Sequence, residues 1–401
     1  MATIEVKDLS KIFGPQPRRR AMPLLEKGTS KAEILKQTGC TVAINKASFE
    51  VREKEIFVVM GLSGSGKSTV IRCLNRLIEP TEGQINIDGR DVMKMSTDQL
   101  RALRRNKTGM VFQNFGLLPH RTVLSNTGFG LEIQGLEENK RNEKAWHAID
   151  LVGLEGYENS MVQELSGGMQ QRVGLARALA TDPEIMLMDE AFSALDPLIR
   201  TQMQDELLAL QAKMHKSIVF ITHDLDEALK LGDRIAIMKD GVIVQTGTPE
   251  EILTDPADDY VRSFVENVDR SKVLTAGTVM HKTSAVVYQS AGPHQCARKM
   301  HQMDLSTLIV VNSDRQLLGY VKIDDVAQLS EKVPEEEDDQ GTRNIKSIIH
   351  EDIYSTPSDT ALSELLSNSA GSNLPIAVVD ENKTLQGIVT RAAILAAIAG
   401  D

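Results

Sequence analysis

A chain of 401 residues with 41% hydrophobic side chains can bury more than one core, so two or three domains are expected. Its formal net charge of -11 at pH 7 argues against nucleic acid as a partner, because neutralising phosphates takes a basic surface. Three widely spaced cysteines, Cys40, Cys73 and Cys296, read as reduced thiols with no zinc or disulfide framework, and no apolar run approaches the ~20 residues of a membrane span.

The N-terminus lacks the charged-then-apolar order of a signal peptide. From there to about residue 265, short apolar runs alternate with helical patterns, the mark of an α/β core. Ile56–Met60, Ile185–Met188, Ile218–Ile221 and Ile235–Met238 are the expected strands, the last leading through an Asp240-Gly241 turn into Val242–Val244. Between Gly14 and about Thr41 lies a polar, basic insertion with helical spacing around Ile34 and Leu35, to which the pattern assigns no role. Arg18–Arg20 and Arg101, Arg104, Arg105 and Lys107 form two local basic clusters, read as solvated faces.

After about Ser271 a strand, turn, strand, helix order occurs twice. Leu308–Val311, a turn at Asn312–Arg315, Leu317–Val321 and Asp324-Asp325 match Pro375–Val379, Asp380–Lys383, Leu385–Val389 and Arg391, about 70 residues on. Pro334–Asp339 between them reads as an exposed acidic linker. The expected division is residues 1–268, 269–333, a linker at 334–342, and 343–401.

Gly61-Leu-Ser63-Gly64-Ser65-Gly66-Lys67-Ser68-Thr69 fits G-x-x-x-x-G-K-[ST] between a strand and a helix-like run, Val70–Ile78. Its glycines let backbone N–H groups face phosphate oxygens, Lys67 would reach the β- and γ-phosphates, and the Ser68 hydroxyl would ligate Mg²⁺. Strand Ile185–Met188 ends in Asp189 and Glu190; the first would hold Mg²⁺ through its water shell and the second polarise an attacking water. Leu165-Ser166-Gly167-Gly168-Met169-Gln170-Gln171-Arg172 opens a helix at Val173–Ala180 and offers a second anion-binding helix start. One nucleotide does not need two such sites from one chain, so a homodimer is expected, each copy closing on its partner's phosphates.

These segments, with Ser193–Asp196 and His223, stand in the order and approximate spacing of ABC-transporter ATPases. The chain resembles the ATP-binding subunits of glycine betaine/proline osmoprotectant importers, carried by Glu55–Thr69, Leu74–Pro80 and Met186–Arg200. The resemblance implies a P-loop ABC ATPase domain, a RecA-like α/β core plus a helical subdomain, with ATP and Mg²⁺. By position it makes Gln113 a Mg²⁺- or water-contacting glutamine and His223 the histidine that contacts the γ-phosphate. Asp196 falls at the dimer seam. Phe13 is either the aromatic that stacks on adenine or a core residue of a terminal sheet. A transmembrane permease would supply the pore and dock near Asn114–Asn126, a substrate-binding protein would deliver solute, and the subunit would sit peripherally on the cytoplasmic face of the plasma membrane. The repeat after Ser271 resembles tandem CBS (α+β) modules. Their hydroxyl-and-Asp ligand pattern is split here between Lys322/Asp325 and Thr390/Ala393, which leaves open a nucleotide ligand, an ionic-strength response or dimerisation alone. A soluble ABC ATPase acting on nucleic acid or ribosomes is the competing class. A P-loop kinase, the third, would have no use for Leu165–Arg172.

Overall fold

Strands with continuous apolar sequence suit a parallel sheet covered on both faces, because neither side then meets water. The computed structural model, which describes residues 2–113, 116–193, 195–266, 268–332, 344–369 and 374–399, has this arrangement. It divides into two compact units, Met1–Val268 and Asp269–Asp401.

The first unit carries β1 (Ala2–Phe13), β2 (Thr41–Arg52), β3 (Ile56–Met60), β4 (Glu82–Ile87), β5 (Arg90–Asp91), β6 (Thr108–Val111), β7 (Ile185–Asp189), β8 (Ser217–Thr222), β9 (Arg234–Lys239) and β10 (Val242–Gly247). Six of these form one sheet in the order β10-β9-β3-β8-β7-β6, parallel except for the β9–β10 hairpin. Every residue of β3, β7 and β8 is buried. A second, antiparallel sheet has the order β2-β1-β4-β5. Its β1 and β2 face the phosphate-loop helix, and Ile4, Ile44, Phe49, Phe57, Val70 and Leu187 share one core. Helices Val123–Thr127, Phe129–Ile133, Glu138–Leu151 and Gly167–Ala180 lie between β6 and β7 and make the helical subdomain. Asn114 and Phe115 of the permease-facing segment, and Ala194, lie outside the described residues.

The insertion folds into three short helices, Pro17–Arg20, Met22–Glu26 and Lys31–Thr38. Ile34 enters a small core with Ile12, Met22, Cys40 and Val42, while Leu35 faces solvent. The basic clusters are partly committed to structure. Arg18 Nε donates to Thr81 O at 2.8 Å, Arg104 bonds the Asn75 and Arg76 carbonyls, and Lys107 pairs with Asp88 and Glu184. All three cysteines are buried, and burial pushes the Cys73 thiol up to about 12.

The second unit holds β11 (Val286–Tyr288), β12 (Thr307–Val311), β13 (Leu317–Lys322), β14 (Ser355–Thr356), β15 (Ile376–Val379) and β16 (Leu385–Val389). They form two three-stranded sheets with identical pairing, parallel then antiparallel. The repeat extends to the turns. Asn312 Oδ1 accepts from the N–H groups of Asp314 and Gln316, Asp380 Oδ1 accepts from those of Asn382 and Thr384, and Arg315 and Lys383 sit at φ of 61° and 60°. The acidic run Pro334–Asp339 lies outside the described residues.

Candidate nucleotide site

The loop between β3 and helix Lys67–Leu74 is wrapped too tightly for side chains at two of its glycines. A Cβ on Gly61 (φ +152°) would lie 2.1 Å from Met238 O, and one on Gly66 (φ +106°) would lie 2.4 Å from Ala43 O. Gly66 caps the helix in a left-handed conformation, which starts the helix at Lys67, three residues before the apolar run suggests. The Asp240-Gly241 turn contributes from below, where Gly241 N–H donates to Ser65 O at 2.8 Å.

Lys67 is 4% exposed, and its Nζ donates to the carbonyls of Gly61 at 2.7 Å and Leu62 at 3.1 Å. Burial holds its ammonium below the ordinary lysine range, against the opposing pull of the Glu190 and Asp189 carboxylates. The Ser65 hydroxyl is buried without a partner. At the end of β7, Asp189 is fully buried; its Oδ2 accepts from Arg72, and its Oδ1 has no partner.

Glu190 stands at φ +47°, a left-handed conformation that a glutamate adopts only under constraint. Its N–H donates to Ile221 O, and its carbonyl accepts from the Ser193 N–H and Oγ. The carboxylate is thereby turned toward three groups. Gln113 Nε2, just past β6, donates to Oε2 at 3.0 Å; His223 Nδ1, just past β8, lies 3.6 Å from Oε2; and Lys67 Nζ lies 3.9 Å from Oε1. Lys67, Gln113, Asp189, Glu190 and His223 thus meet at the carboxyl ends of adjacent parallel strands, where ligands of open α/β sheets bind.

The donor set suits a hydrated Mg²⁺. Among the described residues no group of three or more acidic, His or Cys side chains is arranged to cage a metal. Mg²⁺ is ordinarily held by one or two protein oxygens together with substrate phosphates, and the unpartnered Asp189 Oδ1 beside a phosphate-type loop provides such an oxygen.

Residues 44–193 match the family described as ABC transporter, and residues 276–332 and 345–400 each match the CBS domain. The glycine betaine transport ATP-binding protein OpuAA of Bacillus subtilis is 52% identical over 99% of this chain and 93% of its own length. This chain belongs to the ATP-binding subunits of ABC-type glycine betaine transporters. The glycine betaine/carnitine transport ATP-binding protein GbuA of Listeria monocytogenes is 50% identical, covering 100% of this chain and 98% of its own. The dimeric structure of MJ0796, a bacterial ABC transporter cassette, superposes with a TM-score of 0.52 at 31% identity, over 61% of this chain and 98% of that one.

The remaining expected residues of this ABC subunit lie elsewhere. Ser166 caps helix Gly167–Ala180 by accepting from Met169 N–H at 3.3 Å. A Cβ on Gly168 would meet Ile199 at 2.8 Å, so this segment rests on helix Pro197–Met214, which Asp196 caps. The described hydrogen bonds of Ser166–Gly168 stay within their own helix and do not reach Gly61–Thr69. Leu198, beside Asp196, is 79% exposed. Phe13 ends β1 with 41% of its surface exposed and Lys11 Nζ 4.8 Å above its ring, so it is not a core residue of the sheet. In the CBS pair, Asp325 is taken up by His350 Nε2 at 2.7 Å, and the Thr390 hydroxyl accepts from Ala393 N–H in the first turn of the last helix, Arg391–Ala399.

Arg72 is a contact that sequence reasoning missed. It belongs to none of the motifs, and its partner lies 117 residues away. No sequence signal pointed to it.

Proposed function

We propose that this chain is the ATP-hydrolysing subunit that energises uptake of a quaternary-ammonium osmoprotectant, of the glycine betaine or proline betaine type, through a partner permease. The observation that carries the reading is the convergence of Lys67, Gln113 and His223 on the Glu190 carboxylate beside a glycine-built phosphate loop. The relatives OpuAA, GbuA and the glycine betaine/proline betaine subunit ProV of Salmonella typhimurium supply the solute class. Transport subunits of this kind give no support to a nucleic-acid or ribosomal role.

In this reading the N–H groups of Gly61, Ser63, Gly64, Ser65 and Gly66, and the Ser68 and Thr69 helix start, receive the phosphates. Lys67 exchanges its two carbonyl acceptors for the β- and γ-phosphate oxygens. Ser68, Asp189 and Gln113 would hold Mg²⁺, which would supply charge neutralisation at those phosphates. Glu190 takes the proton of the attacking water, and Gln113 and His223 orient it. Phe13, exposed at the end of β1, stacks on adenine. Ser166, Gly167 and Gly168 of a second copy close on the γ-phosphate, with Asp196 and the exposed Leu198 at the seam. The subunit docks peripherally on the cytoplasmic face of the membrane under its permease, and the CBS pair regulates the motor.

Among the described residues no helix is long and apolar enough to cross a membrane. Vesicles carrying the subunit, its permease and a solute-binding protein should therefore accumulate labelled glycine betaine only when ATP is supplied on the subunit's side. Uptake without ATP, or stimulation of the isolated subunit by nucleic acid, would overturn the reading. If two copies share each site, turnover per subunit should climb and then saturate as light scattering shows monomer passing to dimer, and full turnover in samples that are monomeric by light scattering would rule out a shared site.

Residues 1–268 hold hydrophobic cores of their own. A chain ending at Val268 should accordingly retain basal ATPase, assayed by phosphate release, and lose regulation of uptake. Loss of ATPase as well would make the CBS pair structural.

A further inference from the structure

The two oxygens of Asp189 are used unequally. Oδ2 accepts two bonds from one guanidinium, Arg72 Nε at 3.2 Å and Nη2 at 3.0 Å. Oδ1 has no exposed surface and no partner. A buried carboxylate oxygen is rarely left bare unless something else comes to it. Arg72 lies on the helix that Lys67 begins, with 42% of its side chain exposed, so its presence there is not required to fill a core.

A planar fork of two N–H groups on one oxygen does what an ammonium does not. Two N–H groups set in one rigid plane hold that oxygen from two sides, and with Oδ2 in place the carboxylate has little freedom to turn about its Cβ–Cγ bond. With Oδ2 so held, Oδ1 has one direction left to it. We propose that Arg72 is the positioning residue for the magnesium ligand Asp189, anchoring Oδ2 so that Oδ1 is presented to the water shell of the ion. The inference rests on the reading of Asp189 given under the proposed function. Partners that orient a metal ligand typically contribute about 10–100-fold to metal affinity.

The test uses the full chain, the non-hydrolysable analogue AMP-PNP, and Mn²⁺ as the metal probe. Nucleotide affinity is measured in EDTA and again in saturating Mn²⁺, and the ratio isolates the contribution of the metal. In Arg72→Met the ratio should fall about 10–100-fold while the EDTA affinity holds. In Arg72→Lys, which keeps the charge without the fork, it should fall by less. A merely structural role would lower the melting temperature and leave the ratio in place. Asp189→Asn separates the two layers of the argument. If Asp189→Asn lowers the ratio and neither Arg72 variant does, Arg72 has no positioning role and the reading of Asp189 survives. If Asp189→Asn leaves the ratio intact, both fall. A ratio that rises in Arg72→Met would mean the guanidinium competes with the metal, which also overturns the proposal. Should Arg72→Met fail to fold, an unchanged ratio in Arg72→Lys is sufficient to reject it.

Discussion

Glu190→Gln is expected to lower ATP turnover by about 10²–10⁴-fold, the range that general-base catalysis contributes, while ATP still binds. The amide has the shape of the carboxylate and can still accept from Gln113 at the 3.0 Å contact, but it takes up no proton. Backbone strain does not confound the comparison, since glutamine meets the φ of +47° no worse than glutamate does. Single-turnover hydrolysis should show the loss, and size-exclusion chromatography with ATP and Mg²⁺ should show an accumulated dimer that no longer resets. Near-normal hydrolysis would remove Glu190 from its role.

The same variant has an electrostatic consequence for Lys67. Burial depresses that ammonium, and Glu190 is the first of the two carboxylates that offset the depression. Removing its charge lowers the Lys67 pKa further. A lysine so depressed loses its proton, and its hold on phosphate, at lower pH than an ordinary one. ATP affinity measured from neutral to alkaline pH should therefore begin to decline earlier in Glu190→Gln than in the parent, and coincident curves would show that the 3.9 Å pair is not felt.

What was legible in the sequence was whatever depended on local composition. The fully buried β3, β7 and β8 appear as unbroken apolar runs, and the Asp240-Gly241 hairpin follows from turn chemistry alone. The CBS repeat was visible for the same reason, because its Asx turns at Asn312 and Asp380 are written in the residues themselves. β1 and β2 were not legible as strands. Their pairing is broken by register shifts between Val6 and Leu9 and between Leu9 and Lys11, and where Asp8 and Lys46 take positive φ the inside–outside alternation slips, so neither strand shows one unbroken period of two. Nor does a sequence print which cation a buried carboxylate will find. Asp189 was recognisable as an acid at a strand end, but its pairing with Arg72 depends on helix Lys67–Leu74 packing beside β7. The helix also ends before its apolar pattern does: the pattern runs to Ile78, but Arg76 at φ 52° has already left the helix, which stops at Leu74.

Gly61→Ala should be nearly as damaging as loss of the base, and by a different route. The new methyl group would lie 2.1 Å from Met238 O and 2.9 Å from Ser65 Oγ. Met238 belongs to β9, which is hydrogen-bonded to β3 and whose carbonyl has no freedom to retreat. The loop must move instead, at roughly 1–3 kcal/mol for the overpacking and roughly 1–3 kcal/mol for the glycine-only backbone. If about 3 kcal/mol of that appears in binding, ATP affinity falls on the order of 10²-fold, and the melting temperature should drop with it. Gly64→Ala is the control. It also has positive φ, at +80°, but its Cβ would meet nothing within 4 Å, so it bears the conformational cost without the collision. Equilibrium ATP binding and thermal melts of the two variants side by side decide the point. Equal losses would mean that backbone freedom alone shapes the cradle. A much larger loss at Gly61 would mean that the loop is held in its phosphate-ready form by the β9 carbonyl pressed against it.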